Sequence, residues 1–235
     1  MGKRILRTGL VGAVLASGTM LAMPGMASAS SSRHFKQDQT KLEAQLVSRV
    51  GQLGRLSADV AAATTLTAAH AALLNARITA DTANVNALVA KVPTDTTVAE
   101  LNTDRAAMLR DNRVFAVVTP QVFQTIEADG IALQVSTDEG NETSLQASVT
   151  SLIGQHGYTN ALNHYMAFVR SVNAAATDSA DVTTAELAQT PADYPGDTHV
   201  FVHANGELLN ADLALAHAAY DVTVIGLASG GYTGS

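Results

Sequence analysis

The chain has no cysteine and no tryptophan, only five prolines, and aromatic residues make up 4% of its 235 positions. Without cysteine no disulfide closes the fold and no thiol serves as nucleophile or metal ligand, so stability rests on packing alone. Scarce aromatics beside abundant alanine and threonine argue against a sheet sandwich and suit helices that approach closely across thin Ala-filled layers. Beyond the first residues no stretch approaches about 18 uninterrupted apolar positions, so no membrane span is expected in the mature chain. Basic residues are also few, 14 Lys and Arg against 21 Asp and Glu. That balance argues against a nucleic-acid partner, whose phosphates need a basic face. Motifs of enzymes are missing as well: there is no Gly-x-Ser-x-Gly elbow, no phosphate-binding glycine loop and no His-Glu-x-x-His. A non-enzymatic protein is therefore expected, since an active site would have to be assembled across helices.

What is present begins with a leader. Lys3, Arg4 and Arg7 precede an apolar run from Ile5 to Met23, and Ala27-Ser28-Ala29 offers small residues to a signal peptidase. Residues 1–29 are expected to be a signal peptide of the general secretory route, cleaved after Ala29, which makes the mature chain extracellular. Removing the leader leaves 11 bases against 21 acids. They are unevenly spread: residues 30–113 carry ten bases and eight acids, whereas residues 114–235 carry Arg170 alone against thirteen acids. The two halves are expected to attract each other.

Helical periodicity fills the rest. Residues 30–35 read as a flexible lead-in, and 36–228 as a single helical-bundle domain followed by a flexible tail, 229–235. Within it, 36–137 is expected to form a hairpin plus a long proline-kinked helix, and 144–228 a second helical half. Leu42, Leu46, Val50, Leu53, Leu56 and Val60 form the stripe of a first helix, which ends near Ala63. Thr67 can cap a second helix carrying Leu74, Ile78, Val85, Leu88 and Val92 until Pro93 stops it. Thr97-Val98-Ala99-Glu100 is a capping box that starts the third. Leu101, Met108, Phe115 and Val122 recur at intervals of seven, which favours one helix bent at Pro120 and running to about Ser136. The alternative is a fresh helix with Thr119 as its cap and Pro120 in its first turn. Asp138 to Glu142 read as a surface loop. A short helix from 144 to 155 follows, with Leu145, Val149, Leu152 and Ile153 inward. Thr159 is placed as the cap of a helix with Leu162, Tyr165, Met166, Val169 and Val172 inward, interrupted near 177–179. Two prolines and a glycine make 190–197 a turn. The last helix, from about Thr198 to Ala228, is expected to turn Val202, Leu209, Leu213, Ala216, Tyr220 and Val224 inward. No segment sustains two-residue alternation. The fold class is all-α: an elongated antiparallel bundle of four or five major helices built from coiled-coil-like hairpins.

Two stretches, Leu101-Asn102-Thr103-Asp104-Arg105 through Arg113-Val114-Phe115-Ala116-Val117-Val118-Thr119-Pro120 and Leu187-Ala188-Gln189-Thr190-Pro191-Ala192-Asp193-Tyr194-Pro195-Gly196, resemble Ala-rich secreted all-helical proteins of actinobacteria that have no assigned function. The resemblance implies an all-helical exported protein and carries no catalytic residues across. The Arg-rich final helix associated with that group is replaced here by an Arg-free segment containing histidine.

The candidate sites are few. His199, His203 and Glu207 stand at i, i+4 and i+8, one ribbon of a helix, where two imidazoles and a carboxylate can take Zn²⁺ or another transition metal. Asp193 and Asp197 in the preceding turn are possible further ligands. His217 and Asp221 are spaced as an orienting pair, His164 adjoins Tyr165, and His70 opens the second helix. Asp138, Glu139 and Glu142 offer oxygens to Ca²⁺ without the twelve-residue calcium loop. Arg105, Arg110 and Arg113 form the densest basic cluster and are expected to pair with the acidic half. Asn141-Glu142-Thr143 matches a glycosylation sequon that a bacterial leader makes incidental. The expected function is a secreted non-enzymatic helical-bundle protein acting by binding or self-association, its partner being itself, the cell envelope or another protein. The alternative is an extracellular metal- or small-ligand-binding protein using the His-x3-His-x3-Glu face.

Overall fold

A computed structural model describes residues 29–230 apart from Gly196. The expected leader, save Ala29, and residues 231–235 of the expected tail lie outside the described residues. The described chain is an all-α bundle of six helices, five of them 24 residues or longer. They are α1 (Ala29–Ala62), α2 (Ala68–Lys91), α3 (Val98–Arg110), α4 (Thr119–Thr150), α5 (Tyr158–Leu187) and α6 (Asp197–Ala228).

The first cluster of buried side chains joins Leu42, Leu46, Leu53, Leu56 and Val60 of α1 to Leu74, Ile78 and Val85 of α2, Leu101 and Met108 of α3, and Val122 of α4. These are the stripes read from the sequence. Both expected starts also hold: Thr67 accepts the His70 amide at 3.2 Å, and Thr97 and Glu100 close the capping box. The Thr96 amide, with Thr97, holds the Glu100 carboxylate below its ordinary range. The lead-in at 30–35, however, is helical. α1 runs through it because its inward register continues back from Leu42 through Gln39 to Phe35, with the Gln39 amide donating to the Val92 carbonyl at 2.7 Å.

The second cluster uses α4 beyond Val122. Ala128, Ile131, Val135, Leu145 and Val149 meet Ala161, Phe168, Val172, Ala175 and Val182 of α5 and Ala204, Leu208, Ala211, Leu215, Ala218 and Ile225 of α6. α4 thus belongs to both cores. The expected loop at 138–142 is part of its rod, and the separate helix at 144–155 is its C-terminal stretch, ending at Thr150. Asp138 and Glu142 are half-buried at spacings of three and four between Val135 and Leu145, so polar residues hold the inward positions there. Glu142 accepts the Tyr165 hydroxyl at 3.0 Å. α5 is likewise unbroken through 177–179, and its cap is Gly157 in the left-handed region, φ +101°, rather than Thr159.

The chain does break between α3 and α4, but earlier than Pro120 and without a continuous kinked helix. Arg113 leaves helical geometry, and Val114–Val118 form one π-helical turn, with the Thr119 hydroxyl donating to the Val114 carbonyl at 2.8 Å. Pro120 falls in the first turn of α4, directly after that π-helical turn. Phe115 is consequently exposed, its ring 5.3 Å from the Arg49 guanidinium.

The largest difference is the face of α6. The residues expected inside, Val202, Leu209, Leu213 and Tyr220, point outward, and the face with Phe201, Ala204, Leu208, Ala211, Leu215, Ala218 and Ile225 is buried. Alanines recurring every seven residues let α6 lie close against α4 and α5, with Phe201, Leu208, Leu215 and Ile225 set between them.

Two glycine substitutions distinguish rod from loop. Gly140→Ala is expected to raise stability by about 0.5–1 kcal/mol, because Gly140 is mid-helix and an added Cβ meets nothing within 4 Å. Gly157→Ala is expected to lower it by about 1–2 kcal/mol, because its backbone is left-handed. Urea melts of both variants measure the contrast.

Candidate functional site

The polar chemistry of this fold gathers at the start of α4. Gln121 is fully buried. Its Oε1 accepts from Arg77 of α2 at 2.5 Å, and its Nε2 donates to the carbonyls of Glu186 and Gln189, at 2.6 and 2.9 Å, where α5 ends. One turn on, Gln124 donates to the Phe201 carbonyl at 2.9 Å and to Asn205 Oδ1 at 2.8 Å, both on α6. Two amides on one ribbon of α4 therefore fasten α2, α5 and α6 where the two cores meet.

Glu186 lies in the same junction with 0% of its surface exposed, and neither of its oxygens has a hydrogen-bond partner among the described residues. Burial, reinforced by Glu127 of α4 and Glu207 of α6, pushes its pKa up to about 9. Glu127 is raised too, by burial and then by Asp212. At neutral pH Glu186 is thus a neutral carboxylic acid. Sequence reading missed this junction because isolated Gln and Glu residues in amphipathic helices look like surface positions.

The sequence-derived site residues are placed differently. His203 Nε2 meets Glu207 Oε1 at 2.8 Å, with the His203 side chain 76% exposed, and His199 is also exposed. Among the described residues no three His, Asp or Glu side chains converge in an arrangement that holds a metal ion. The side chain of Asp197 is outside the description. Asp193 instead caps the turn after α5, accepting the amide and hydroxyl of Thr190 at 2.7 and 2.8 Å, which lower its pKa. Asn141 lies on the exposed side of α4, and Asp138 and Glu142 share its half-buried side.

Histidines clasp helices together. Asp221 pairs with His164 of α5, Nδ1 to Oδ1 2.6 Å, and not with His217. The correction follows from geometry: Asp221 faces the core, whereas His217 lies exposed on α6. The Tyr220 ring packs edge-on against His164 at 5.8 Å. His70, beyond opening α2, binds both Asp129 oxygens of α4 through Nδ1, at 2.8 and 3.0 Å, while the Thr67 amide donates to Oδ2 at 2.7 Å. That pair borders a cleft of about 260 Å³ with Ser179 and Thr183 on its wall. The Ser179 hydroxyl donates to the Ala176 carbonyl, so no hydroxyl–histidine relay forms.

The arginine cluster contacts the acidic half without ion pairing. Arg113 donates to the Pro191 carbonyl at 3.1 Å and lies 3.8 Å from the Tyr194 ring centroid. Among the described residues, Lys and Arg ion pairs within 4.0 Å stay inside residues 30–113: Lys41 with Asp38, and Lys91 with Asp95 and Asp104. The Gln121 amide, two cation–π contacts and the His70–Asp129 pair, rather than Lys or Arg ion pairs, join the halves among the described residues.

The remaining surface feature is α6 itself. Val202, Leu209, Leu213, Tyr220 and Leu227 are 70, 69, 55, 62 and 54% exposed. By length and composition Thr198–Ala228 is the one described helix able to cross a membrane. Its inner face, though, is packed into the second core and carries the buried Asp221 bonded to His164.

The buried acid generates a pH dependence of known sign. Glu186 keeps its proton in the fold to about pH 9 but loses it near 4.5 when unfolded, so stability falls as pH rises between those values, by at most about 1.4 kcal/mol per unit. Thermal melts from pH 4 to 8 are expected to show Glu186→Gln melting above the parent at pH 8, with the gap closing towards pH 4.5. Parallel melting profiles would show that the carboxyl carries no such penalty.

Set against known families, curated proteins and solved structures, the chain has no match.

Proposed function

We propose that this chain is a secreted, non-enzymatic helical-bundle protein that acts by binding or self-association at or outside the cell envelope. The observation that carries the reading is the apolar outer stripe of α6, on a helix whose opposite face is already packed. Contiguous exposed aliphatic side chains of this kind mark surfaces that a partner covers. The basic, apolar and small-residue segments of positions 1–29 support export. The resemblance to exported helical proteins of actinobacteria points the same way. The His–Asp pairs are read as clasps between helices, each consumed by a partner on another element.

The test is native mass spectrometry of the protein isolated from its own host, with medium and envelope fractions compared. The expected result is a chain beginning at Ser30, released or held on the envelope, and found as a multimer or a complex. A bare monomer free of partners in both fractions overturns the reading. A non-covalent mass increment that denaturation removes replaces it with ligand binding.

A further inference from the structure

The outer stripe of α6 has an internal symmetry. Val202, Gly206, Leu209, Leu213, Ala216, Tyr220, Thr223 and Leu227 follow one another at spacings of four and three, a helix-packing seam. Reversing α6 about a point between Ala214 and Leu215 superposes this seam on itself. Val202 then falls opposite Leu227, Gly206 opposite Thr223, Leu209 opposite Tyr220, and Leu213 opposite Ala216. Large Leu213 meets small Ala216 at the centre, and Gly206 meets Thr223. The seam holds no charged residue, and α6 holds no Lys or Arg.

From this pattern we propose that two copies of the chain pair through the outer faces of their α6 helices, antiparallel about that two-fold point. The proposal rests on the self-association reading above and names its surface and geometry. An isologous contact needs a patch complementary to itself, and a seam whose steps reverse onto one another meets the spacing that this requires. The strip from Val202 to Leu227 is about 37 Å long at 1.5 Å per residue. Two helices packed along it remove on the order of 1,200 Å² from water, the size at which specific interfaces begin. Gly206 fits as well. A glycine inside a helix costs about 1 kcal/mol relative to alanine. Inside the fold nothing lies within 4 Å of the Cβ that alanine would add, as at Gly140, so the surface there is open to a second helix.

A lipid surface is the poorer occupant. Interfacial helices draw binding energy from Lys and Arg beside the apolar face, and α6 has none. Asp212 and Glu207 of α6 lie near the stripe, and Arg170 of α5 shares a surface hollow with Leu213.

Sedimentation velocity on protein purified from its own host, over roughly 1 to 100 µM, is the primary experiment. The parent is expected to sediment as a dimer. Leu209→Glu and Leu213→Glu, each at an exposed position and so expected to keep parental helicity, weaken the dimer at least about tenfold. Direction is read by oxidation, since the chain has no cysteine of its own. Val202→Cys combined with Leu227→Cys is expected to give a covalent dimer, while neither single variant does. Their separation along one helix rules out an internal bridge. A covalent dimer from Val202→Cys alone means parallel pairing and overturns the proposed geometry. A parent dimer indifferent to both glutamates overturns this face while leaving self-association standing. A monomer throughout, or recovery on vesicles of zwitterionic or anionic lipid, overturns the pairing itself.

Discussion

The fold depends on one amide. Gln121 sits fully buried where the chain passes from one core to the other, and it binds Arg77 on α2 while its other end holds the last carbonyls of α5. Those carbonyls are among the acceptors that a helix end leaves without internal partners. The Glu186 carbonyl also accepts the Gln189 amide at 3.0 Å, so it is the Gln189 carbonyl whose loss of the Gln121 amide would cost about 1–3 kcal/mol. The amide therefore ties the half-buried end of α5 to the start of α4. Gln124 repeats the arrangement towards α6, and Gln39 does so for the Val92 carbonyl after α2. Glutamine suits the task because it supplies donors and an acceptor without charge, so burying it avoids the desolvation penalty that Glu186 incurs nearby.

Much of the architecture was legible because it is written in local signals. The α1 and α2 stripes, the Thr67 cap, the Thr97–Glu100 box and the turn at 190–197 each depend on residues within a few positions of one another. The failures were of two kinds. At 30–35, at 138–142 and around 177–179, polar residues hide a helix that packing sustains. Asp138 and Glu142 stand at half-buried positions, and Ser179 is buried. Tertiary packing overrides weak propensity there. Between α3 and α4 the error was the reverse: a seven-residue recurrence crossed a real break because Phe115 kept the spacing while its ring lies on the surface.

The candidate site was less legible than the fold. His70, His164 and Asp221 were noticed as residues, but their partners lie 57 or 59 positions away, and no local spacing encodes that distance. His217–Asp221 had the right spacing and the wrong outcome, since i,i+4 proximity does not decide which residue faces the core. Gln121, Gln124 and Glu186 carried no signal at all. Their roles exist only once helix ends have been brought beside them.

The two faces of α6 show where periodicity runs out and composition takes over. Both faces repeat at helical spacing, so the pattern alone admits either as the inner one. The buried face is the one that spaces Ala204, Ala211 and Ala218 seven residues apart. Ala204, Ala211 and Ala218 allow α6 to approach Ala161 and Ala175 of α5 and Ala128 of α4, whereas a Leu209–Tyr220 face would hold the helices apart and open the layer. Close approach gains dispersion and packing density, but alanine contributes little apolar area, at about 25 cal/mol per Å² buried. The second core is thus tight yet thin in hydrophobic gain where the alanines meet, and Val202, Leu209, Leu213 and Leu227 are left in water. Their burial is the largest apolar gain that α6 leaves unused among the described residues.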